Sequence, residues 1–169
     1  MVNMTTERTE DYLKTIEAVV SKKGYAQVKD VSAALGTSPS SVTGMFQKLK
    51  NDGYINYEKY GGVTLTSKGK NIAQNTKAKY GVVKDFLTVL GVDSNTADED
   101  ACRIEHVLTD DTIDVLTKFV DFIHHSDEYP LWMDHFKHFY ETGEYINCSP
   151  ATKKNCPVHG NTKNKQSDK

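Results

Sequence analysis

Apolar residues recur at helical spacing in several separate segments of the chain. The first predicted helix runs from about Thr6 to Ser21, with its apolar side chains on one stripe. Two shorter helices are predicted at Val28 to Leu35 and Pro39 to Lys50, separated by the turn Gly36-Thr37-Ser38. Proline suits the first position of a helix, where its missing amide hydrogen costs nothing. Two helices of this length joined by a short turn predict a helix-turn-helix.

Two β-prone runs come directly after this motif. Tyr54 to Glu58 and Val63 to Thr66 flank Lys59-Tyr60-Gly61-Gly62, and this order predicts a β-hairpin. A hairpin that follows the second helix of a helix-turn-helix is a wing. The first part of the chain is therefore predicted to be a winged helix-turn-helix.

The rest of the chain is predicted to be mainly helical. A long helix capped by Thr66 and Ser67 is expected to reach about Leu90, where Gly91 ends it. After Gly143 the sequence is polar and irregular, and it is expected to be partly disordered. Further helices are expected at about Asn95 to Val107, Asp111 to His124 and Pro130 to Glu141. The predicted fold class is mainly α, with domains at residues 1–72, 73–142 and 143–169.

Charge is distributed unevenly along the chain. The net charge of the 169 residues is −2, but residues 1–80 hold 12 Lys and Arg against 7 Asp and Glu, whereas residues 81–169 hold 9 against 16. A basic first half suits a polyanionic partner, and an acidic second half suits cation binding or solubility. The sequence has no long apolar run and no signal-peptide pattern, so a cytoplasmic protein is expected.

The second helix of a helix-turn-helix enters the major groove of DNA. Small hydroxyl side chains at its start can approach phosphates and bases closely, Gln47 can pair with adenine, and Lys48 can contact phosphate. An ordinary helical corner with a polar surface is the alternative interpretation. The predicted DNA-binding residues are Thr37, Ser38, Pro39, Ser40, Ser41, Thr43, Gln47 and Lys48, together with Lys59 and Tyr60 at the hairpin tip.

Cys102, Glu105 and His106 are spaced as i, i+3 and i+4 in the predicted fifth helix. Residues at this spacing share one helix face, so a thiolate, a carboxylate and an imidazole can converge on one cation. The same set can also arise incidentally on a helix surface. Cys102 and His106 could instead form a nucleophile and base pair, but no strained turn, oxyanion donor or orienting acid accompanies them. The residues alone are compatible with either a metal site or an incidental cluster. The protein is not expected to be an enzyme.

Four separate stretches occur in a recognisable order: Thr9 to Ile16, Ser38 to Thr43, Leu65 to Gly69 and Asp100 to Leu108. Together they resemble the iron- and manganese-dependent repressors of the diphtheria toxin repressor family, over about residues 5–125. The resemblance implies a winged helix-turn-helix DNA-binding domain followed by an all-helical dimerisation and metal-binding domain. It also implies a homodimer on double-stranded palindromic operator DNA, in the two-domain form that lacks the family's SH3-like domain.

The resemblance further implies the metal ligands. In the family, the positions of Cys102, Glu105 and His106 hold primary-site ligands, and Asp11 stands where the first helix supplies the fourth. Thiolate and imidazole favour Fe²⁺, Co²⁺, Ni²⁺ or Zn²⁺ over Mn²⁺, whereas two carboxylates favour harder ions. The manganese branch carries a carboxylate at the Cys102 position and another acidic ligand at the Lys14 position. Fe²⁺ is therefore the expected cofactor, with Mn²⁺, Zn²⁺ and Co²⁺ as alternatives.

The family's second, ancillary metal site is expected to be absent. Its positions hold Tyr80, Lys84 and Asp98, which do not form a credible divalent-metal cluster. The Lys84 ammonium could supply part of the charge of a second ion. A solvated surface lysine is the preferred interpretation.

The last part of the chain contains Cys148, Cys156 and His159 in the spacing C-x₇-C-x₂-H. This spacing does not match a standard zinc finger and falls short of four ligands, although His135 and His138 could complete a site. A zinc or second sensing site, an iron–sulfur cluster and no metal at all are the alternatives for this segment.

These features predict a metal-dependent repressor of metal-uptake genes, with no membrane partner and no small-molecule substrate. Without metal, Asp11 and Glu105 are expected to repel one another and to leave the first helix loosely tied. Bound Fe²⁺ would bridge Asp11 to the other three ligands and fix the two recognition helices about one DNA turn, or a multiple of it, apart. The alternative function is a winged-helix redox or iron–sulfur sensor that uses Cys148 and Cys156.

Overall fold

The computed structural model describes residues 5–58, 61–125 and 131–146. These residues confirm a mainly α fold with a small antiparallel sheet after the third helix, and most helices lie close to their predicted bounds. The elements are α1 (Glu7–Lys23), α2 (Val28–Leu35), α3 (Pro39–Asn51), β1 (Ile55–Glu58), β2 (Gly62–Leu65), α4 (Ser67–Val89), α5 (Ser94–Ile104), α6 (Asp110–His124) and α7 (Leu131–Thr142).

Local capping interactions fix the turn between α2 and α3. Gly36 follows α2 with a φ of +60°, a left-handed conformation that glycine adopts without steric cost. The Ser38 hydroxyl accepts a hydrogen bond from the Ser41 amide at 3.2 Å, and Pro39 occupies the first turn of α3. The start of α3 is thereby held in place by residues of the turn itself.

The wing is the predicted hairpin with one addition. Ile55 lies opposite Leu65 and Tyr57 opposite Val63 in the β1–β2 register. Two backbone hydrogen bonds of 2.8 and 2.9 Å also join Val63 to Ala26, which the sequence pattern did not predict. The segment before α2 therefore pairs with the wing and ties it to the helix-turn-helix.

One apolar core joins α1, α2, α3 and the wing. Its fully buried side chains include Leu13 and Ile16 of α1 and Phe46 of α3, and the Phe46 ring meets the Tyr57 ring edge-on at 5.4 Å. Burial of such side chains stabilises each by roughly 1.5–3 kcal/mol relative to exposure. Because α1 and α3 share this core, a displacement of α1 has to be transmitted to α3.

The long helix α4 supports both halves of the candidate site. It contacts α1 on one side and α5 on another, and it runs without interruption through the predicted domain boundary at residue 72. Lys79 of α4 donates to the Leu108 carbonyl at 3.3 Å and pairs with Asp110 at 2.7 Å. The segment after α5 is thus anchored to α4.

Contacts divide the chain into two compact units after Leu116. In the second unit the rings of Trp132, Phe136 and Tyr140 are exposed, and the Trp132 ring centroid lies 6.2 Å from that of Phe119 in α6. No helix in the described ranges has the length and apolar character needed to span a membrane.

Candidate metal centre

The four predicted ligands meet in the structure. Ligand atoms of Asp11, Cys102 and Glu105 all lie within 4.8 Å of one another. The His106 Nε2 atom is 3.2 Å from Asp11 Oδ1 and 3.3 Å from Glu105 Oε1. A sulfur and two carboxylates therefore converge between α1 and the end of α5, and the His106 Nε2 atom lies against the same two carboxylates.

The reason for this convergence differs in part from the prediction. Helix α5 ends at Ile104, so the expected helix up to Val107 is too long by its last residues. Glu105 keeps helical dihedral angles (φ −52°, ψ −32°) as the C-cap, and His106 lies in the turn that follows. The backbone continues the helical path just far enough for Cys102 and Glu105 to share a face.

Helix α1 presents Asp11 to this point because its two faces have different roles. Tyr12, Leu13 and Ile16 are buried in the core. Asp11 and Lys14, three residues apart, project from the other face towards residues 102–106. One helix thus contributes to the winged-helix core and to the candidate site.

Glu105 is the most unusual ligand. The side chain is completely buried, and among the described residues its Oε2 atom has no hydrogen-bond partner. Burial raises the pKa of Glu105 above its usual range, and the hydrogen bond from Lys14 only partly offsets this rise. A buried carboxylate oxygen without a partner is costly unless a cation binds it, so this atom fits a metal ligand.

His106 is oriented by a residue that the sequence analysis missed. Its side chain is 3% exposed, and its Nδ1 atom lies 2.8 Å from Oε2 of Glu10. When Nδ1 donates to this carboxylate, Nε2 carries a lone pair towards Asp11 and Glu105, as a metal ligand requires. Glu10 in turn accepts a hydrogen bond of 2.6 Å from the Thr5 hydroxyl.

Lys14 places a positive charge among the candidate ligands. Its Nζ atom donates to Glu105 Oε1 and lies 3.8 Å from Cys102 Sγ and 3.9 Å from Asp11 Oδ1. Burial lowers the pKa of Lys14, but the hydrogen bond with Glu105 and the nearby negative charges outweigh burial and raise it overall. The Asp11 charge raises the pKa of Glu105, as the expected repulsion between them requires, and the Lys14 ammonium beside both carboxylates offsets part of this repulsion.

The donor set fits a first-row divalent metal. Thiolate, imidazole and carboxylate together make a mixed site of the kind that binds iron, cobalt or zinc. Asp11 and His106 also form a second group with Glu7 whose ligand atoms lie within 4.8 Å of one another. The candidate site is therefore formed by Asp11, Cys102, Glu105 and His106, with a carboxylate-rich edge at the start of α1.

The positions of the ancillary site form an ion-paired cluster. Lys84 pairs with Asp98, and the Tyr80 hydroxyl bonds to the same carboxylate. The hydrogen bond from Lys84 lowers the pKa of Asp98, and the bond to Asp98 raises that of Tyr80. Lys84 is therefore an ion-paired residue and not an isolated surface lysine.

The predicted DNA-reading helix has the expected exposed face. Ser38, Pro39, Ser40, Thr43, Gln47 and Lys48 are exposed, whereas Thr37 and Ser41 are half-buried. The Ser38 hydroxyl lies 3.0 Å from that of Ser40 and 2.9 Å from that of Ser41. Polar side chains therefore cluster at the first turn of α3, where a recognition helix meets base edges. Lys59, Tyr60, Cys148, Cys156 and His159 lie outside the described residues.

Comparison with known proteins identifies both halves of this architecture. Residues 4–63 match the family model described as "Iron dependent repressor, N-terminal DNA binding domain", and residues 66–129 match "Iron dependent repressor, metal binding and dimerisation domain". The HTH-type transcriptional regulator MntR of Bacillus pumilus (strain SAFR-032) is 43% identical over 125 residues, which cover 74% of this chain and 87% of that protein.

Solved structures agree with these matches. The metal-dependent transcriptional regulator MtsR superimposes with a TM-score of 0.63 at 30% identity, over 75% of this chain and 58% of that chain. The manganese regulator SloR gives a TM-score of 0.60 at 26% identity, over 68% of this chain and 54% of that chain. The chain therefore belongs to the iron-dependent repressor family of metal-dependent transcriptional repressors.

Proposed function

We propose that this repressor is activated by Fe²⁺ held by Asp11, Cys102, Glu105 and His106. The observation that carries the proposal is the grouping of Asp11, Cys102 and Glu105 donor atoms within 4.8 Å, with His106 Nε2 3.2 Å from Asp11 Oδ1 and a buried Glu105 Oε2 atom that has no partner among the described residues. The ion would supply positive charge to the Oε2 atom of Glu105, which the Lys14 ammonium leaves without a partner. In this proposal the protein is a cytoplasmic homodimer that binds palindromic operator DNA and controls metal-uptake genes.

The link from metal to DNA runs through α1. The proposed ligand Asp11 lies on α1, and the other three proposed ligands lie at residues 102–106. Leu13 and Ile16 of α1 share a core with Phe46 of α3, so restraining α1 restrains the recognition helix. In a homodimer this restraint acts on two α3 helices at once. Metal and operator then bind cooperatively, because each favours the same arrangement.

The second unit supports the homodimer. Phe122 of α6 is 59% exposed, and three aromatic residues of α7 are exposed as well. Such a concentration of large apolar side chains on one unit is typical of a protein–protein interface. We propose that a second copy of the chain covers this surface.

The nature of the activating ion depends on Cys102. The structural relative SloR is a manganese regulator, and this similarity favours Mn²⁺ for this chain as well. The thiolate of Cys102 favours Fe²⁺ over Mn²⁺, because Mn²⁺ prefers oxygen ligands. We give the ligand chemistry more weight, since it acts on the ion directly.

An anaerobic titration with Fe²⁺, Mn²⁺ and Zn²⁺ tests this proposal. Operator binding would be followed on a palindromic duplex selected from a random-sequence library. We expect Fe²⁺ to activate wild-type protein at lower concentration than Mn²⁺, and Cys102→Glu to reverse that order because the new carboxylate is a harder ligand. An unchanged metal order in Cys102→Glu would contradict the assignment of Cys102 as a ligand.

The rival sensor hypothesis has a separate test. Replacing Cys148 and Cys156 together by Ser is expected to leave Fe²⁺-activated operator binding intact. If iron and acid-labile sulfide copurify with wild-type protein and the double variant no longer responds, the C-terminal cysteines are the sensor instead.

Glu10 is expected to affect metal affinity without binding the ion itself. Glu10→Ala removes the acceptor that orients His106, and loss of such an outer partner typically costs about 10–100-fold in metal affinity. Equilibrium metal titration would measure this change. Glu17→Ala is a matched control on the same helix, because Glu17 accepts a hydrogen bond from the nearby Ser21 hydroxyl and belongs to neither group of candidate ligands found in the described ranges, and it should bind metal normally. Equal affinity in both variants would refute the positioning role of Glu10.

A further inference from the structure

We propose that the Lys14 ammonium is an internal counter-ion that competes with the activating metal for its own ligands and so raises the metal concentration needed for repression. The inference rests on the proposed metal site. It assigns Lys14 a role opposite to that of the ligands beside it: it weakens metal binding while it stabilises the protein without metal.

The contacts of Lys14 carry this inference. Its Nζ atom bonds to Glu105 Oε1 and is nearly equidistant from Cys102 Sγ and Asp11 Oδ1, at 3.8 and 3.9 Å. These three residues are the group whose ligand atoms converge within 4.8 Å. The ammonium therefore interacts with the same atoms that a divalent ion would bind.

The remaining surroundings of the ammonium also favour a cation. The Tyr80 ring centroid lies 5.5 Å from Lys14 Nζ, within the distance at which an aromatic ring attracts a positive charge. The Tyr80 hydroxyl bonds to Asp98, whose charge is in turn paired with Lys84. Lys14 is thus held between an aromatic ring and three candidate ligands.

A metal ion and this ammonium cannot use the same donors at full strength. Ligand atoms approach a bound divalent ion to about 2.0–2.3 Å, well inside the 3.8 and 3.9 Å that separate Nζ from Cys102 Sγ and Asp11 Oδ1. Two cations sharing one poorly hydrated cluster also repel one another. Lys14 has a route out, because its side chain is 23% exposed and its flexible stem can carry the ammonium into water.

Removal of the Lys14 charge should therefore produce two effects of opposite sign. Without metal, Glu105 loses the partner of its buried carboxylate, and the protein should unfold at lower temperature. With metal, the competitor is absent, and the affinity should increase. A lysine that merely supports the local structure would lower both stability and affinity when replaced.

The test compares Lys14→Met, a neutral residue of similar length, with wild-type protein. Thermal unfolding in the presence of a chelator measures stability, and anaerobic titration with Co²⁺, whose absorption reports thiolate coordination, measures affinity. We expect Lys14→Met to have a lower Tm than wild-type protein. Its Kd for Co²⁺ should be smaller by at least about tenfold, because the substitution removes a like charge close to the bound ion. Lys23→Met is the control, because Lys23 forms its ion pair with Asp30 at the end of the same helix and should lose stability only.

A second variant tests the inference in case Lys14→Met does not fold. Lys14→Gln removes the charge but keeps a hydrogen-bond donor for Glu105, and it must show the same increase in affinity. Wild-type or weaker Co²⁺ binding in both folded variants would overturn the inference while leaving the proposed function intact. If wild-type protein and both variants bind no Co²⁺, the proposed function fails and this inference fails with it.

Discussion

Glu105→Gln is expected to abolish metal-activated operator binding, with metal affinity reduced by at least about 100-fold. This loss should exceed the roughly 10–100-fold effect of removing an outer partner such as Glu10, because Glu105 is itself a proposed ligand. The substitution keeps the shape of the side chain, removes its negative charge and replaces one carboxylate oxygen by an NH₂ group that cannot bind a cation. Since the side chain is fully buried, water cannot take the place of the lost charge.

Metal titration followed by operator binding, each on the folded variant, would measure this effect. Glu99→Gln is the matched control, because it makes the same chemical change at an exposed position of α5. The control should keep wild-type metal dependence. A Glu105→Gln protein that binds operator with unchanged metal dependence would contradict the proposed site.

Gly69→Ala is expected to destabilise the protein by at least about 3 kcal/mol, at the upper end of the cost of overpacking a core position. A Cβ atom at this position would lie 2.0 Å from the Tyr54 carbonyl oxygen and 2.9 Å from its carbonyl carbon. The clash cannot be relieved by rotating a side chain, because both atoms are backbone. The Tyr54 carbonyl also accepts hydrogen bonds of 3.0 Å from the Thr66 amide and hydroxyl, so moving it would release the start of α4.

Thermal denaturation would register this change as a fall in Tm of roughly 10 °C for a chain of this size. Gly81→Ala provides the control within the same helix, since a Cβ there meets nothing within 4 Å. Alanine is the better helix former by about 1 kcal/mol, so Gly81→Ala should be neutral or stabilising. Equal Tm values for the two variants would mean that the contact between α4 and the wing is not close.

Local sequence signals were sufficient for the winged helix-turn-helix. Pro39 and Ser38 mark the start of α3, Gly36 marks the end of α2, and the glycine pair after the first β-prone run marks the hairpin. Each of these residues acts within one turn of the chain, so its effect can be inferred from neighbours in sequence. The pairing of Ala26 with Val63 joins residues far apart in sequence and left no such signal.

The sequence analysis predicted the candidate ligands but not the residues that surround them. Helix α5 ends at Ile104 although no glycine or proline stops it, and the bond from Lys79 of α4 to the Leu108 carbonyl holds the segment that follows. Glu10 was missed since an acidic residue in the first turn of a helix is expected for the helix dipole alone. Lys14 was interpreted only as a departure from the manganese branch, and its contact with Glu105 depends on how α1 packs against α4.

The division of the proposed ligands between two parts of the chain has an evolutionary consequence. Asp11 lies in the part that matches the DNA-binding family model, and Cys102, Glu105 and His106 lie in the part that matches the metal-binding one. Recombination that exchanges the first part between relatives would import a foreign α1 along with a foreign recognition helix. The imported α1 must then supply a ligand at the Asp11 position that suits the resident Cys102, Glu105 and His106, or the proposed site is lost with the new operator specificity.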